Sequence, residues 1–444
     1  MIFNNSKFNN HWPTKALNEL GTFNRGKSKH RPRNDKRLFD NGSIPLIQTG
    51  EVRQSNLFID SHSANYNDFG LAQSKLWPKN TLCITIAANI AETAMLGYDM
   101  CFPDSIVGFN AFPDECSEVF MHYIFTYIRS SIQNRIQGSI QDNINIEYLT
   151  NLKFKIPGRD ERKQIENLLY SLDTKIEVNN KINQEMEAMA KTIYDYWFVQ
   201  FDFPDTNGKP YKSSGGKMVY NEKLKRDIPE GWEVKPLTDE MDLQYGFPFS
   251  TKLFNEERNG VPIIRIRDIQ KCTISNYSTE EVDIKYKLEK GDILIGMDGN
   301  FHINYWNKED CFLNQRSLRI RTTNDSISEI QARYMIEPYI KAREKNVSRT
   351  TVGHLSARDI NDLKILKATQ EIQSNANSFF KSTLNKIVSN REQNQKLAEL
   401  RDWLLPMLMN GQVRVAHSED KRNLGEVEEK LGMVAEEGEV YKME

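Results

Sequence analysis

The sequence lacks any apolar run near the roughly 18 residues that a membrane-spanning helix needs. Its N-terminal stretch, from Met1 to Pro13, has no charged segment followed by an apolar core, so no secretory leader is expected. Cysteine is scarce: Cys83, Cys101, Cys116, Cys272 and Cys311 are odd in number and far apart. No Cys-x-x-Cys or Cys/His cluster occurs, which argues against a disulfide framework and a zinc site and fits a reducing cytoplasm. The motifs of catalysis are missing too. There is no Asn-Pro-Pro-Phe or Asp-Pro-Pro-Tyr tetrad, no Phe-x-Gly-x-Gly for a methyl donor, no Gly-x-Ser-x-Gly elbow, and no convincing nuclease carboxylate cluster. The seven histidines are scattered. These absences describe a binder rather than a catalyst.

Net charge is also small, -2 over 444 residues. The distribution is more informative than the sum. Between Ser418 and Glu444 nine acidic residues face four basic ones, a net of -5, which leaves about +3 for residues 1–417. Within that body, Arg25 to Arg37 holds seven Lys or Arg in thirteen residues. With 27% charged and 39% hydrophobic residues, the chain is long enough to bury more than one core.

What is present, above all, is repetition. Trp12, Lys15 and Leu17 resemble Trp232, Lys235 and Leu237, and Ile44-Pro45 resembles Val261-Pro262. The run from Lys79 to Ile84 matches Lys290 to Ile295, Cys101-Phe102 matches Cys311-Phe312, and Leu149 to Lys153 matches Ile360 to Lys364. The order is shared and the offset stays near 211 residues, as from Leu149 to Ile360. Such a period is too long for a solenoid and indicates two copies of a domain-sized unit. Each copy begins with short strand-like runs, among them Leu82–Ile86, Val261–Ile266 and Asp292–Ile295, punctuated by Gly, Pro and Asn. Each ends in a long helical segment.

The first of these helices is predicted from about Glu161 to Phe198, with Asp160 as N-cap. Ile165, Leu172, Met186 and Ile193 recur at heptad spacing, with Leu168, Ile182, Met189 and Tyr196 as companions and Lys175 as an interruption. The second is predicted from about Thr369 to Leu405, with Phe379, Phe380, Ile387, Leu397, Leu400 and Leu404 on its stripe. Asparagine breaks both stripes at equivalent places, Asn179 and Asn183 in one and Asn390 and Asn394 in the other. A polar seam residue can fix register, and near-central breaks would meet in an antiparallel pair. The expected architecture is a pseudo-two-fold α+β molecule: two mixed units joined by two long helices in an antiparallel coiled coil. Such a duplication suits a bipartite target.

Gly21, Gly26, Lys27 and Ser28 match the Walker A pattern, but its context is wrong. The preceding segment is short and polar, and Pro32 with its flanking charges opposes a following helix. The same loop, with Arg25, Lys27, Lys29, Arg31, Arg33, Lys36 and Arg37, has the chemistry of a DNA backbone contact; a solvated charged loop is the bland alternative. Gln48 is a further candidate in the first copy. In the second copy the candidates are Arg265 and Arg267, expected on one face of a strand, then Asn300 and Asn314, Gln315 and Arg316. Asp298-Gly299 also fits a simple hairpin turn. Ser139, Gln141 and Asn143, with Arg349, Thr350, Thr351 and His354, form equivalent polar segments before the long helices.

These segments resemble the specificity subunit of type I restriction–modification systems. The likeness rests on Val261 to Ile269, Gly291 to Gly299, Asn314 to Arg316, Thr351 to Leu355 with Asp359-Ile360, and, in the first copy, Ile44-Pro45, Gln164-Ile165, Leu172-Asp173 and Asn179 to Asn183. It covers about residues 12–412. The resemblance implies target recognition domains at 1–158 and 231–367, spacer helices at 159–200 and 368–412, a linker at 201–230 and an acidic tail at 413–444. It implies binding to double-stranded DNA at a split site, two modification subunits that methylate adenine N6, and restriction/motor subunits. The cofactors, S-adenosylmethionine, ATP and magnesium, would belong to those partners and none to this chain, a non-catalytic, cytoplasmic protein without membrane association. Tyr194, Trp197, Phe198 and Trp403 are candidates for partner docking or for packing on the chain's own domains. The competing readings are an enzyme using the Walker-like loop and a duplicated coiled-coil adaptor that binds proteins without reading DNA.

Overall fold

The computed structural model describes residues 2–137, 146–323, 327–346 and 353–415. The chain forms two compact units, one of residues up to 175 together with those from 397, the other of residues 176–396. Each unit therefore takes one end of each long helix.

In the first unit a five-stranded sheet runs in the order Gly21–Arg25, Ile106–Ala111, Leu82–Thr85, Thr93–Leu96, Phe58–Ile59. All neighbours are antiparallel except the last pair. Both faces of the central strands are covered, so these are largely apolar and alternate residues serve different cores. Leu82, Ile84, Met95, Val107 and Phe109 pack with Phe120, Ile124 and Ile128 of the helix Glu118–Gln137. Cys83, Ala94, Leu96 and Ile106 point the other way, to Trp77, Met100 and Phe102. A smaller sheet, Ala64–Tyr66, Ile44–Leu46, Met100–Cys101, Leu76–Trp77, lies on that side.

The second unit repeats this plan. Its antiparallel sheet runs Met241–Tyr245, Ser317–Thr322, Ile293–Gly296, Ile303–Tyr305. Ile293, Ile295, Leu318 and Ile320 pack with Ile330, Ile336 and Ile340 of the helix Glu329–Asn346. Leu294 faces Ile264, Trp306 and Leu313, beside the sheet Phe254–Asn255, Asn276–Ser278, Val261–Ile264, Phe312–Leu313. The matched strands Leu82–Thr85 and Ile293–Gly296 keep the 211-residue offset, so the duplication is structural.

The first long helix spans Arg159–Tyr194 and continues as one wide π-helical turn, Asp195–Val199. Asp160 thus lies inside the first turn rather than at the N-cap. The second spans Gln370–Met409 and runs past Pro406, where the sequence suggested a stop. A proline there forfeits one late hydrogen bond, while Leu408 and Met409 beyond it are fully buried in the first unit's core.

The seam also differs from its sequence reading. The buried positions are Ile165, Leu169, Leu172, Ile176, Asn179 and Asn183, stepping alternately by four and three. Ile182, Met189 and Tyr196, read as seam companions, are exposed. The true companion series contains Asn183 and the small Ala190, so a search by hydrophobicity lands one position early, and Lys175 was the sign of it. Within the second unit the helices pair antiparallel, joined by side-chain amides. Asn179 donates to Gln393 and Asn394, both at 2.8 Å. Asn390 donates to Asn183 at 2.8 Å, and Asn183 donates to the Ile387 carbonyl at 3.3 Å.

The stretch 201–230 is no loose linker. It holds the hairpin Met218–Asn221 with Arg226–Pro229, and Phe203 stacks on Trp232 at 5.1 Å. Tyr194 and Phe198 are buried in the same core, which removes them from any docking face, whereas Trp403 is 63% exposed. No helix among the described residues is long and apolar enough to cross a membrane.

Candidate nucleic-acid interface

Each unit builds the same small frame at one end of its main sheet. In the first, the Gly26 N–H donates to Ile106 O (2.8 Å), Lys27 N–H to Phe102 O (3.1 Å) and Ile86 N–H to Ser105 O (2.9 Å). In the second, Gly246 N–H donates to Ser317 O (3.0 Å), Phe247 N–H to Leu313 O (2.9 Å) and Met297 N–H to Arg316 O (2.9 Å). Three chain segments are tied side by side in each case. A glycine is needed where they cross: a Cβ on Gly26 would lie 2.3 Å from the Phe102 and Pro103 carbonyl oxygens, and one on Gly246 1.9 Å from that of Asn314. Gly26 therefore serves close backbone approach, not a phosphate loop. Gly21 lies in the strand Gly21–Arg25, and no helix follows before the short turn Lys36–Leu38.

In the first unit the frame carries the basic loop. Arg25 ends the edge strand, opposite Val107. Arg25, Lys27, Lys29 and Lys36 are exposed. The other cations hold fixed partners. Arg33 grips both oxygens of Asp104 (2.7 and 3.0 Å), Arg31 donates to the Ser28 and His30 carbonyls (2.6 and 2.9 Å), and Arg37 pairs with Asp35 at 2.7 Å. Hydrogen bonds from Arg37 and then His30 hold the Asp35 carboxyl well below the usual carboxylate range. Gln48 is exposed at the start of the short helix Thr49–Gln54, where its N–H donates to Glu51 (3.0 Å).

Two residues here escaped the sequence reading. Arg53, exposed on that short helix, donates to the side chain of Asn89 at 3.0 Å. Asn89 stands 211 positions before Asn300, and Ala88, at φ +61°, stands where Gly299 adopts +71°. The offset that revealed the duplication would have supplied both turn positions.

In the second unit the strand Val261–Ile264 ends before Arg265, so Arg265 and Arg267 do not share a strand face. Arg265 caps the short helix Ile266–Ile269, because Asp268 accepts from its N–H at 3.0 Å. Its half-buried guanidinium donates to Ser275 (2.8 Å) and lies over the Phe254 ring, and burial first, then Arg267, pulls its pKa down. Arg267 is exposed. Asn314 is buried, its side-chain oxygen without a hydrogen-bond partner, whereas Gln315 and Arg316 are exposed.

Asp298, Gly299 and Asn300 do form a turn, between Ile293–Gly296 and Ile303–Tyr305, and it is also a junction. Gly299 N–H donates to Gly353 O (2.9 Å) and Leu355 N–H to Met297 O (2.8 Å), which sets His354 across from Asp298. Asp298 then meets His354 Nδ1 at 2.6 Å and Arg316 Nη1 at 3.3 Å. The fold thus brings Asn300, Gln315, Arg316 and His354 to one corner. Ser139, Gln141, Asn143, Arg349, Thr350 and Thr351 lie outside the described residues.

Comparison with known proteins agrees with this duplicated design. The profile of the type I restriction modification DNA specificity domain matches residues 9–188 and again 229–399. Over 426 residues the chain is 25% identical to the specificity subunit of the type I restriction enzyme MjaIX of Methanocaldococcus jannaschii, covering 91% of this chain and 94% of that one. The HindI specificity subunit of Haemophilus influenzae is 22% identical over 455 residues, 86% of this chain and 97% of that one. The solved S subunit of the M. genitalium type I restriction–modification system shares the fold, with a TM-score of 0.55 at 17% identity over 92% of this chain and 99% of that one. With both halves matched by one family, and with one frame built twice, the chain belongs to the type I restriction–modification DNA specificity family.

Proposed function

We propose that this chain reads a split sequence in double-stranded DNA, one half through each unit, and so directs the chemistry of partner subunits. The observation that carries the reading is the repeated frame, which displays cations and amides at the same corner of two related units. Exposed Lys and Arg there would contact phosphates, and pinned Arg, Asn and Gln would contact base edges. The partners would be two modification subunits that methylate adenine N6 with S-adenosylmethionine, and motor subunits that use ATP and magnesium, all in the cytoplasm. The chain itself would supply no catalytic group. Its five thiols are buried and unpaired, and burial pushes Cys116 and Cys311 up to about 12, far from a reactive thiolate at neutral pH. The duplicated adaptor has no comparable support, because protein docking requires neither the cationic corner nor its repetition.

The test is genome-wide adenine methylation by long-read sequencing, with the modification subunits expressed alone or together with this chain. A split motif of fixed gap, present only with this chain, is the expected result. No new methylation from a stable complex would overturn the reading.

A further inference from the structure

The corner built around Asp298 differs from the rest of the candidate surface in how much of the fold is spent on one side chain. Arg316 sits at φ +66°, a left-handed conformation that residues with a Cβ seldom adopt and that persists only where surrounding structure enforces it. The enforcement is visible. Arg316 O accepts from Met297 N–H at 2.9 Å, and the N–H of the preceding residue, Gln315, donates to Phe247 O at 2.8 Å. At the other end of the side chain, Nη1 lies 3.3 Å from one Asp298 oxygen, while the other oxygen is taken by His354 at 2.6 Å. The Arg316 side chain nevertheless remains 60% exposed. A solvated cation needs none of this. A backbone held in a strained conformation, a carboxylate beside the guanidinium and a largely exposed side chain suit a planar, two-pronged contact.

Resting on the DNA-reading function above, we propose that Arg316 reads a guanine in the half-site of the second unit, and that Asp298 is its positioning residue. Guanine presents O6 and N7 side by side in the major groove, the acceptor pair that a guanidinium edge fits. The carboxylate of Asp298, held by His354 and paired with Arg316, draws the guanidinium to this corner and repels phosphates, so the corner favours a base over the backbone. The first unit achieves a similar clamp with other residues: Asp104, one position before the frame residue Ser105, is gripped by Arg33.

The experiment uses the full chain in complex with its modification subunits. Binding is measured to duplexes in which each base pair of the recognised site is replaced in turn. In Arg316→Gln, discrimination at one G·C pair of one half-site should fall from about tenfold or more to below about threefold, with every other position and the gap retained. Asp298→Asn should weaken discrimination at that same pair while non-specific DNA binding stays equal or rises, since a repelling charge is gone. A merely structural role for Asp298 would lower all binding together. Should Arg316→Gln bind too weakly to measure, lowering the salt concentration restores measurable binding: discrimination then unchanged at every base pair makes the contact a phosphate and overturns the proposal. Discrimination unchanged in Arg316→Gln, or the two variants acting on different base pairs, also overturns it. A wild-type complex without base preference anywhere would instead bring down the DNA-reading function itself.

Discussion

In the first unit, Asp173 shows how a buried charge is kept. It is 2% exposed and accepts from the Tyr123 hydroxyl at 2.7 Å and from Arg401 at 2.6 Å. Removing one partner of a buried pair strands the other, which typically costs about 3–5 kcal/mol. Arg401→Ala should therefore destabilise the unit on the order of 3 kcal/mol in chemical denaturation, whereas Arg401→Lys should cost less. His122 lies nearby, its Nδ1 3.0 Å from the Thr93 hydroxyl. Burial first, then the charges of Arg129 and Arg401, lowers its pKa from an ordinary 6.5 to about 3. The folded state thus resists a proton that the unfolded chain accepts. Stability is intact above pH 6.5 and declines as pH falls from there towards 3, at up to about 1.4 kcal/mol per pH unit from this group. His122→Gln should remove that portion of the acid slope; an unchanged slope would show that His122 is not its source.

At the scale of the element, the asparagine seam trades stability for registration. Asn183 and Asn390 are both buried and hydrogen-bonded to each other. A lone Asn183→Leu leaves the Asn390 amide without its partner and should cost about 1–3 kcal/mol. The double replacement Asn183→Leu with Asn390→Leu should be near neutral or stabilising, so a double-mutant cycle on thermal unfolding should show strong coupling. Equal, additive losses would mean that the two amides do not act as a pair. The helix Glu118–Gln137 and its counterpart Glu329–Asn346 make a different point. The sequence marks no bounds for either helix within its strand-rich part, because both lie in segments without a clean heptad and are defined by the sheet they cover.

For the whole molecule, the proposed split reading makes two demands. Exchanging residues 1–158 for the corresponding unit of another family member should change one half of the methylated motif and leave the other intact; a change in both halves would refute independent reading. Inserting one heptad at equivalent points in both long helices adds about 10 Å of helix, close to three base pairs of duplex. If these helices set the gap, sequencing of methylated sites should show it longer by about that much. An unchanged gap would mean that another part of the protein sets the spacing.

The sequence by itself determined the duplication, the two long helices, their polar breaks and the family. Each is written in local or periodic order, and periodicity survives without a structure: Asn179 and Asn390 stand 211 residues apart in either description. The tertiary structure decided what those residues do. It kept the Ile165–Leu172–Asn179 series in the helix seam and moved the companion series by one position, since burial follows the partner surface rather than side-chain hydrophobicity. It separated Arg265 from Arg267, since Asp268 caps a short helix where alternation suggested a strand. It drew Asp298, Arg316 and His354 together from three segments. Such a meeting depends on backbone hydrogen bonds between distant strands, and the order of residues along the chain carries no direct record of them.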